Sequence, residues 1–285
     1  MTHRCGSQSE AGVIDCIRFL LCVCASITSS HTAICGCRFP YQALGSTSVS
    51  PIAPEINNQG LTLRQAALIA GIAYLLMPVT YAELSIMPKV VIPGNIAQTI
   101  DNIAAHPRQF AVAILCYLIT FIEDIVIAWA LYVLLAPVNR SLSLLTAWFR
   151  LIYTAMALFG WLKLVTVYRL ATTPDYLTLL GSVPLQAQVR LLLNSFRYDW
   201  SMSLVVFGIH LALLGYLIWR SGYIPKILGI LLAVDGLGWV VTSLKPYLYP
   251  NAHLGFFFMF SFVELLLPIW LVIRGWKIPE PMTHS

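Results

Sequence analysis

Two adjacent acidic residues, Glu123 and Asp124, interrupt the apolar run LITFIEDIVIAWALYVLL near its middle. Three more ionisable residues, His210, Asp235 and Glu264, stand near the centres of later apolar runs. An ionised side chain at the centre of a membrane-spanning helix costs about 2.5–3.5 kcal/mol, so such groups face a bundle interior or a water-filled cavity instead of lipid. We therefore expect these five residues to converge on one polar cluster at mid-depth.

A cluster of carboxyl and imidazole groups in a low-dielectric interior supports several kinds of chemistry. It can bind or relay protons, bind a cation, or hold a small polar ligand. The same groups can act as structural glue instead, because hydrogen bonds between polar side chains join helices inside a membrane. The sequence leaves both interpretations open.

An intramembrane enzyme is a further alternative. Its acid–base groups would be His210 with Asp124, Glu264 or both, and a metal-dependent version would use His210, Asp235 and Glu264. The sequence contains no G-x-S-x-G motif and no phosphate-binding glycine loop. We therefore predict no cofactor and no metal site, and we favour a non-enzymatic role.

Three more charged residues lie inside predicted spans but away from the central cluster: Glu83, Arg150 and Lys163. Glu83 and Lys163 each lie about seven residues beyond the centre of a span, and those two spans run in the same direction. Both side chains should then lie ~10 Å from the midplane, on the same side of it. We predict a Glu83–Lys163 ion pair, whereas Arg150 points to nearly the opposite face of its helix from Lys163.

The composition indicates an integral membrane protein. Of the 285 residues, 59% are hydrophobic and 10% are charged, whereas soluble domains carry about 25% charged residues. Six apolar segments each approach the ~20 residues that a helix needs to cross ~30 Å of hydrocarbon. These predicted spans are 65–87, 110–135, 144–168, 200–219, 225–244 and 254–274. The predicted fold is an all-α bundle of six transmembrane helices.

The connections between the spans carry signals of their own. The segment RSGYIP (220–225) reads as a tight turn, because glycine often follows a helix and proline often starts one. Gly229 and Gly236 fall inside the fifth span, where small residues allow close helix packing. Two longer connections, 93–107 and 184–198, show helical periodicity and are predicted to form short helices in the plane of the membrane interface.

The two ends of the chain differ from the membrane domain, which we place at 61–277. Residues 1–60 are predicted to be a poorly structured leader and linker, and residues 278–285 a short tail. The leader holds six of the seven cysteines. Four of them form two C-x-C pairs, Cys22/Cys24 and Cys35/Cys37, with no accompanying histidine pair, which is not the spacing of a zinc site. The six cysteines are Cys5, Cys16, Cys22, Cys24, Cys35 and Cys37.

An even number of spans places both termini on one side of the membrane. Basic residues lie on that side in the short connections, at Arg140, Arg220 and Lys226. Short basic loops stay inside, so we predict a cell-membrane protein with both termini in the cytoplasm. The net charge of +5 is dispersed, which predicts no nucleic-acid partner. The expected partners are the lipid bilayer and a small polar ligand, a proton or a cation.

Five motifs carry a resemblance to a known family: AALIAGIAYLL, VVIPGNIAQTIDNI, ALYVLLAPVNRSLSLLTAWFRL, VFGIHLALLGYLIWRSGYIPKILGILLAVDGLGW and VELLLPIWLVIRGWK. In these motifs residues 64–276 resemble domain of unknown function 4386, a bacterial family of multi-pass membrane proteins. The resemblance implies six helices and transfers no activity, substrate or catalytic residue. Asp235 departs from the family pattern, which is apolar there. The charged residues on motif positions are Glu83, Asp124, Arg150, His210 and Glu264.

Taken together, these patterns favour a small transporter or ligand-binding membrane component built around the polar cluster. An intramembrane enzyme is one alternative to this interpretation. A structural or partner-binding subunit, in which the acids only join helices, is the other.

Overall fold

The computed structural model describes residues 61–249 and 263–279. This part of the chain is helical and contains no strand. Five of its segments are long and apolar enough to cross a membrane: Leu63–Val90, Pro107–Leu135, Arg140–Thr172, Ser182–Ser221 and Lys226–Leu248. The chain is therefore a membrane protein whose described part is all-helical, and five of the predicted spans are confirmed as long apolar helices.

The remaining predictions fall partly or wholly outside the described residues. The sixth predicted span, 254–274, is described only from residue 263 onwards. The predicted leader, 1–60, lies outside the described residues altogether, and of the predicted tail, 278–285, only residues 278 and 279 are described.

The main helices are numbered here in chain order. They are α1 (Leu63–Leu76), α2 (Ile96–Ala105), α3 (Pro107–Leu135), α4 (Arg140–Thr172), α5 (Pro174–Leu180), α6 (Ser182–Ser221), α7 (Lys226–Leu248) and α8 (Leu266–Arg274). Between α1 and α2 runs an irregular stretch that we call the broken segment. It consists of Val79–Tyr81, a π-helical turn at Ala82–Ile86, and Met87–Val90.

The first span is interrupted, although the sequence suggested one helix over 65–87. Helix α1 ends before Pro78, whose ring removes a backbone donor and disfavours helical geometry in the residue before it. The broken segment then begins with Val79, whose backbone N–H donates to the Thr120 hydroxyl of α3 at 3.1 Å. A side chain of a neighbouring helix thus satisfies a backbone group that the interruption leaves without a helical acceptor.

The prediction of a separate interfacial helix at 184–198 is wrong. These residues belong to α6, a continuous helix of 40 residues that is about 60 Å long, roughly twice the thickness of the hydrocarbon core. No glycine or proline occurs between Pro184 and Gly208 to end the helix, and Pro184 lies in the first turn, where its missing N–H is tolerated. The other predicted connection helix, at 93–107, corresponds to the separate helix α2.

The helices pack in a defined order. Helix α6 makes its most extensive contacts with α7 and α4, α4 packs on α3, and α3 packs on α1. Helix α8 packs against α1. A hydrogen bond of 2.6 Å from Trp239 of α7 to Glu264, just before α8, links the two ends of this series. The helices therefore surround a common interior, which is where the buried polar residues lie.

The turn between α6 and α7 follows the pattern predicted for 220–225. Gly222 adopts a positive φ of 74°, and Pro225 caps the start of α7. Tyr223 anchors the turn, because its hydroxyl donates to the Leu134 carbonyl of α3 at 2.6 Å. Burial raises the pKa of Tyr223 to about 12, which keeps this donor protonated at neutral pH.

Helices α6 and α7 touch backbone to backbone along a glycine seam, formed by Gly208 and Gly215 of α6 and Gly229 and Gly236 of α7. A Cβ atom added to Gly229 would lie 2.5 Å from the Gly215 carbonyl oxygen, and one added to Gly236 would lie 2.8 Å from the Ala212 nitrogen. No side chain fits in such a gap. The prediction that glycines of the fifth span allow close packing is confirmed.

Substituting Gly215→Ala is expected to lower the free energy of unfolding by about 1–3 kcal/mol, because the added methyl forces α6 and α7 apart. Thermal unfolding in detergent measures this effect. Ala155→Val adds two carbon atoms, one more than Gly215→Ala, but at an exposed position of α4; it serves as the control and should leave the transition nearly unchanged. Equal melting temperatures for Gly215→Ala and the parent would contradict the close backbone contact between α6 and α7 at this position.

Candidate functional site

The predicted polar residues fall into two neighbouring groups. The first, which we call the arginine hub, consists of Tyr74, Asp124, Arg150 and His210. The second, the carboxyl pair, consists of Asp235 and Glu264. The sequence predicted one cluster of acids and histidine, whereas the structure centres the larger group on a guanidinium.

Arg150 lies at the centre of the hub, with 1% of its surface exposed. Its Nε donates to Asp124 Oδ1 at 3.0 Å and its Nη2 donates to the same oxygen at 2.5 Å. Its Nη1 donates to the Tyr74 hydroxyl, and the guanidinium carbon lies 4.5 Å from the centre of the Tyr74 ring. The carboxylate of Asp124 on α3 thus neutralises the buried guanidinium, and the hydroxyl of Tyr74 on α1 accepts a hydrogen bond from it.

His210 completes the hub from α6. Its Nδ1 lies 2.8 Å from the Thr146 carbonyl oxygen, and its Nε2 lies 3.3 Å from Arg150 Nη1. A carbonyl only accepts and a guanidinium only donates, so Nδ1 carries the proton and Nε2 accepts. The imidazole is therefore neutral and both of its nitrogens are occupied. Neither is free to ligate a metal or to exchange a proton with a substrate.

Asp124 and Glu123 play different parts although they are adjacent. Asp124 continues a buried stripe of α3 that includes Tyr117 and Thr120, as the helical spacing predicted. Successive helical residues point about 100° apart, so only one of the two acids can face the hub. Glu123 is half-buried, and its Oε2 is buried without a hydrogen-bond partner among the described residues. The structure does not bring Glu123 into the hub.

The carboxyl pair lies beside the hub. Asp235 is 1% exposed, and Glu264 is half-buried. Glu264 Oε1 accepts a 2.6 Å hydrogen bond from Trp239, and the two carboxyls are close enough to interact with each other. Within the described part of the chain, Asp235 Oδ2 has no hydrogen-bond partner. The hub also keeps one such oxygen, Asp124 Oδ2, but its carboxylate is paired with Arg150, whereas the carboxyl pair has no ion-pair partner among the described residues.

The two groups are electrostatically connected. Glu264 lies within interaction range of Tyr74 and Arg150 of the hub. It also interacts with Tyr153, a buried residue of α4 that packs on Phe207. The hub and the pair thus share one interior region between α1, α4, α7 and the start of α8.

The predicted Glu83–Lys163 ion pair does not form. Lys163 of α4 instead pairs with Asp199 of α6, and Glu83 accepts a hydrogen bond from the Tyr117 hydroxyl. The prediction placed Asp199 outside the fourth span, but the continuous α6 carries it alongside α4. Gly160 permits the approach, since a Cβ added there would lie 3.1 Å from the Asp199 Cβ. The uninterrupted helical sequence before residue 200 was the signal for this pairing.

Two contacts of the hub and one of the carboxyl pair had no signal in the sequence. Tyr74 stands in the apolar run AGIAYLL and resembles an ordinary interfacial tyrosine. The Thr146 carbonyl is a backbone group that every helix contains, and Trp239 resembles any other tryptophan of an apolar run. They contact polar residues only because the helices bring them next to His210 and Glu264.

A family model described as "Domain of unknown function (DUF4386)" matches residues 69–275. The chain belongs to this family. The match extends over every residue of the arginine hub and the carboxyl pair. A protein of Archaeoglobus fulgidus named "Uncharacterized protein" is 30% identical over 159 residues, which cover 56% of this chain and 81% of that protein. No solved structure matches the chain.

The hub predicts a specific pattern of stability in this DUF4386 protein. Removing one partner of a buried ion pair costs about 3–5 kcal/mol, whereas replacing both by apolar residues is often nearly neutral. Asp124→Leu alone should therefore lower the free energy of unfolding by about 3–5 kcal/mol, and adding Arg150→Met should restore much of that loss.

A double-mutant cycle followed by thermal unfolding in detergent tests this expectation. Lys163→Met is the control, because it breaks an ion pair whose side chains are 22% and 32% exposed and should cost less. Stability losses that simply add for Asp124→Leu and Arg150→Met would show that the two side chains are not coupled.

Proposed function

We propose that this protein is a small membrane transporter or ligand-binding membrane component whose carboxyl pair binds a proton or a monovalent cation. The observation that carries the proposal is the charge balance of the interior. Arg150 and Lys163, the two basic residues that lie inside the predicted spans and away from their ends, already have acidic partners. Asp235 and Glu264 are left beside each other without a basic residue of their own.

The electrostatics of the pair support ion binding. Two neighbouring carboxylates in a low-dielectric interior repel each other, and each also loses hydration energy in the ionised form. A shared proton or a bound cation relieves both penalties. The unpartnered Asp235 Oδ2 leaves a free acceptor for such an ion, while the Trp239 N–H holds the Glu264 carboxyl in place.

The architecture that we propose around this site is a six-span bundle, 61–277, with 254–274 as its sixth span. Helix α8 supports this assignment, because one side packs on α1 while Leu266, Ile269 and Ile273 remain exposed as lipid-facing residues would be. We further propose that the protein lies in the cell membrane, with a leader at 1–60 and both termini in the cytoplasm. Basic residues in the short connections support this orientation.

A structural role is the second candidate, and it applies to the hub. Four of the five N–H groups of Arg150 are used by Asp124, Tyr74 and His210, so the guanidinium is not free to bind a ligand. We infer that the hub joins helices while the carboxyl pair binds the ion. The same engagement of His210 argues against the enzyme interpretation, in which its nitrogens would act as acid, base or metal ligand.

Ion uptake into proteoliposomes tests the function. The purified protein is reconstituted with a pH-sensitive dye inside, a membrane potential is imposed, and proton uptake is followed with and without a sodium gradient. The parent should exceed protein-free liposomes, and the double variant Asp235→Asn with Glu264→Gln should not, because it keeps the shapes of the side chains but removes both charges.

Asp175→Asn is the matched control, since Asp175 is an exposed acid in α5, far from the pair in the chain. It should retain the parent's uptake. Proton uptake that is unchanged in the double variant, both with and without the sodium gradient, would refute the assignment of the carboxyl pair. Absence of any ion uptake in the parent would refute the transport function itself.

A further inference from the structure

A surface pocket with two basic residues in its lining lies away from the interior site, between the broken segment and the first turns of α3. It has a volume of about 230 Å³. Two elements form it, and both reach it near the ends of membrane spans. Its lining residues are Tyr81, Ser85, Ile86, Lys89, Arg108, Gln109 and Val112.

The pocket is basic. Lys89 and Arg108 are both exposed, and neither forms an ion pair within the described part of the chain. No acidic side chain lines the pocket, so its two positive charges are not neutralised by the protein. The end of the broken segment is held in place from α2, because Asn102 donates to the carbonyl of Lys89 at 3.3 Å. Two cations on different elements thus face one cavity.

The charged residues of the lining lie at its outer end along the helix axes. Ile86 lies about one turn deeper in its span than Lys89, and Val112 lies about one turn deeper than Arg108. The two cations are therefore nearest the membrane surface, and the deeper lining is uncharged. A phospholipid has its charged phosphate and headgroup outermost, with uncharged ester groups and acyl chains below.

We propose that this pocket binds the phosphate headgroup of an anionic phospholipid. Lys89 and Arg108 supply the positive charge for the phosphate, and arginine matches phosphate geometry with two parallel donors. The Ser85 hydroxyl and the Gln109 amide lie deeper than the two cations, where they can donate to the ester carbonyl oxygens below the phosphate. A zwitterionic headgroup fits less well, because its amine would find no carboxylate in the pocket.

The bound lipid has a structural consequence for the interrupted first span. Four of the seven lining residues belong to the broken segment and three belong to α3. Deeper in the membrane, the same two elements are joined by Val79 with Thr120 and by Glu83 with Tyr117. A headgroup between Lys89 and Arg108 adds a third link at the membrane surface. The lipid therefore holds the broken segment against α3.

Native mass spectrometry of the full chain in detergent tests the proposal, with phosphatidylglycerol and phosphatidylcholine titrated separately. Each basic side chain near an anionic surface contributes about fivefold in affinity, so the double variant Lys89→Gln with Arg108→Gln should bind phosphatidylglycerol about 25-fold more weakly. The control double variant is Arg169→Gln with Arg190→Gln. It removes two exposed charges near the same end of the bundle but outside the pocket.

The outcomes separate cleanly. The site is supported if the parent and the control bind phosphatidylglycerol tightly and the pocket variant binds it weakly. The charge-preserving swap Lys89→Arg with Arg108→Lys should retain most of the binding. Equal loss in the control variant would show only a general effect of surface charge and would overturn the proposal. Equal binding of phosphatidylcholine, or displacement of the lipid by millimolar inorganic phosphate, would overturn the assignment to an anionic phospholipid.

Discussion

A buried guanidinium constrains the interior of this bundle more than any other group. Moving a charged group out of water costs several kcal/mol unless partners replace its hydration. Arg150 obtains those partners from three other helices: a carboxylate from α3, a phenol from α1 and an imidazole from α6. The Thr146 carbonyl of its own helix α4 orients that imidazole. A shift of any of these helices that breaks one of the contacts is therefore unfavourable. The relative positions of the helices thus depend on the Arg150 side chain.

Several features of this arrangement were predictable from the sequence. The hydrophobic length of the segments marked five of the spans, and the depth of Asp124 and His210 within them marked both as interior groups. Helical spacing identified the buried stripe of α3. These inferences succeed because hydrocarbon thickness and helical periodicity act on each segment separately, without reference to its neighbours.

What the sequence did not predict depends on contacts between segments. The partner of Lys163 was misassigned because α6 continues beyond the membrane, and no local residue marks where a spanning helix leaves the bilayer. The interruption near Pro78 depends on Thr120 of another helix to accept the hydrogen bond of Val79. Asp124 and Glu123 look alike in the sequence, and only the position of Arg150 distinguishes the hub residue from its neighbour.

The glycine seam restricts the movement of α6 and α7 relative to each other. Two helices in direct backbone contact cannot slide or tilt independently without large clashes, so α6 and α7 behave as one rigid body. Helix α8 packs against α1, and α1 ends at the interruption near Pro78. Asp235 belongs to α7 and Glu264 lies just before α8, so the carboxyl pair lies between the joined helices α6 and α7 on one side and α1 with α8 on the other. Separating the two carboxyls would therefore require α8 to shift relative to the joined helices α6 and α7, while Tyr74 holds α1 to Arg150.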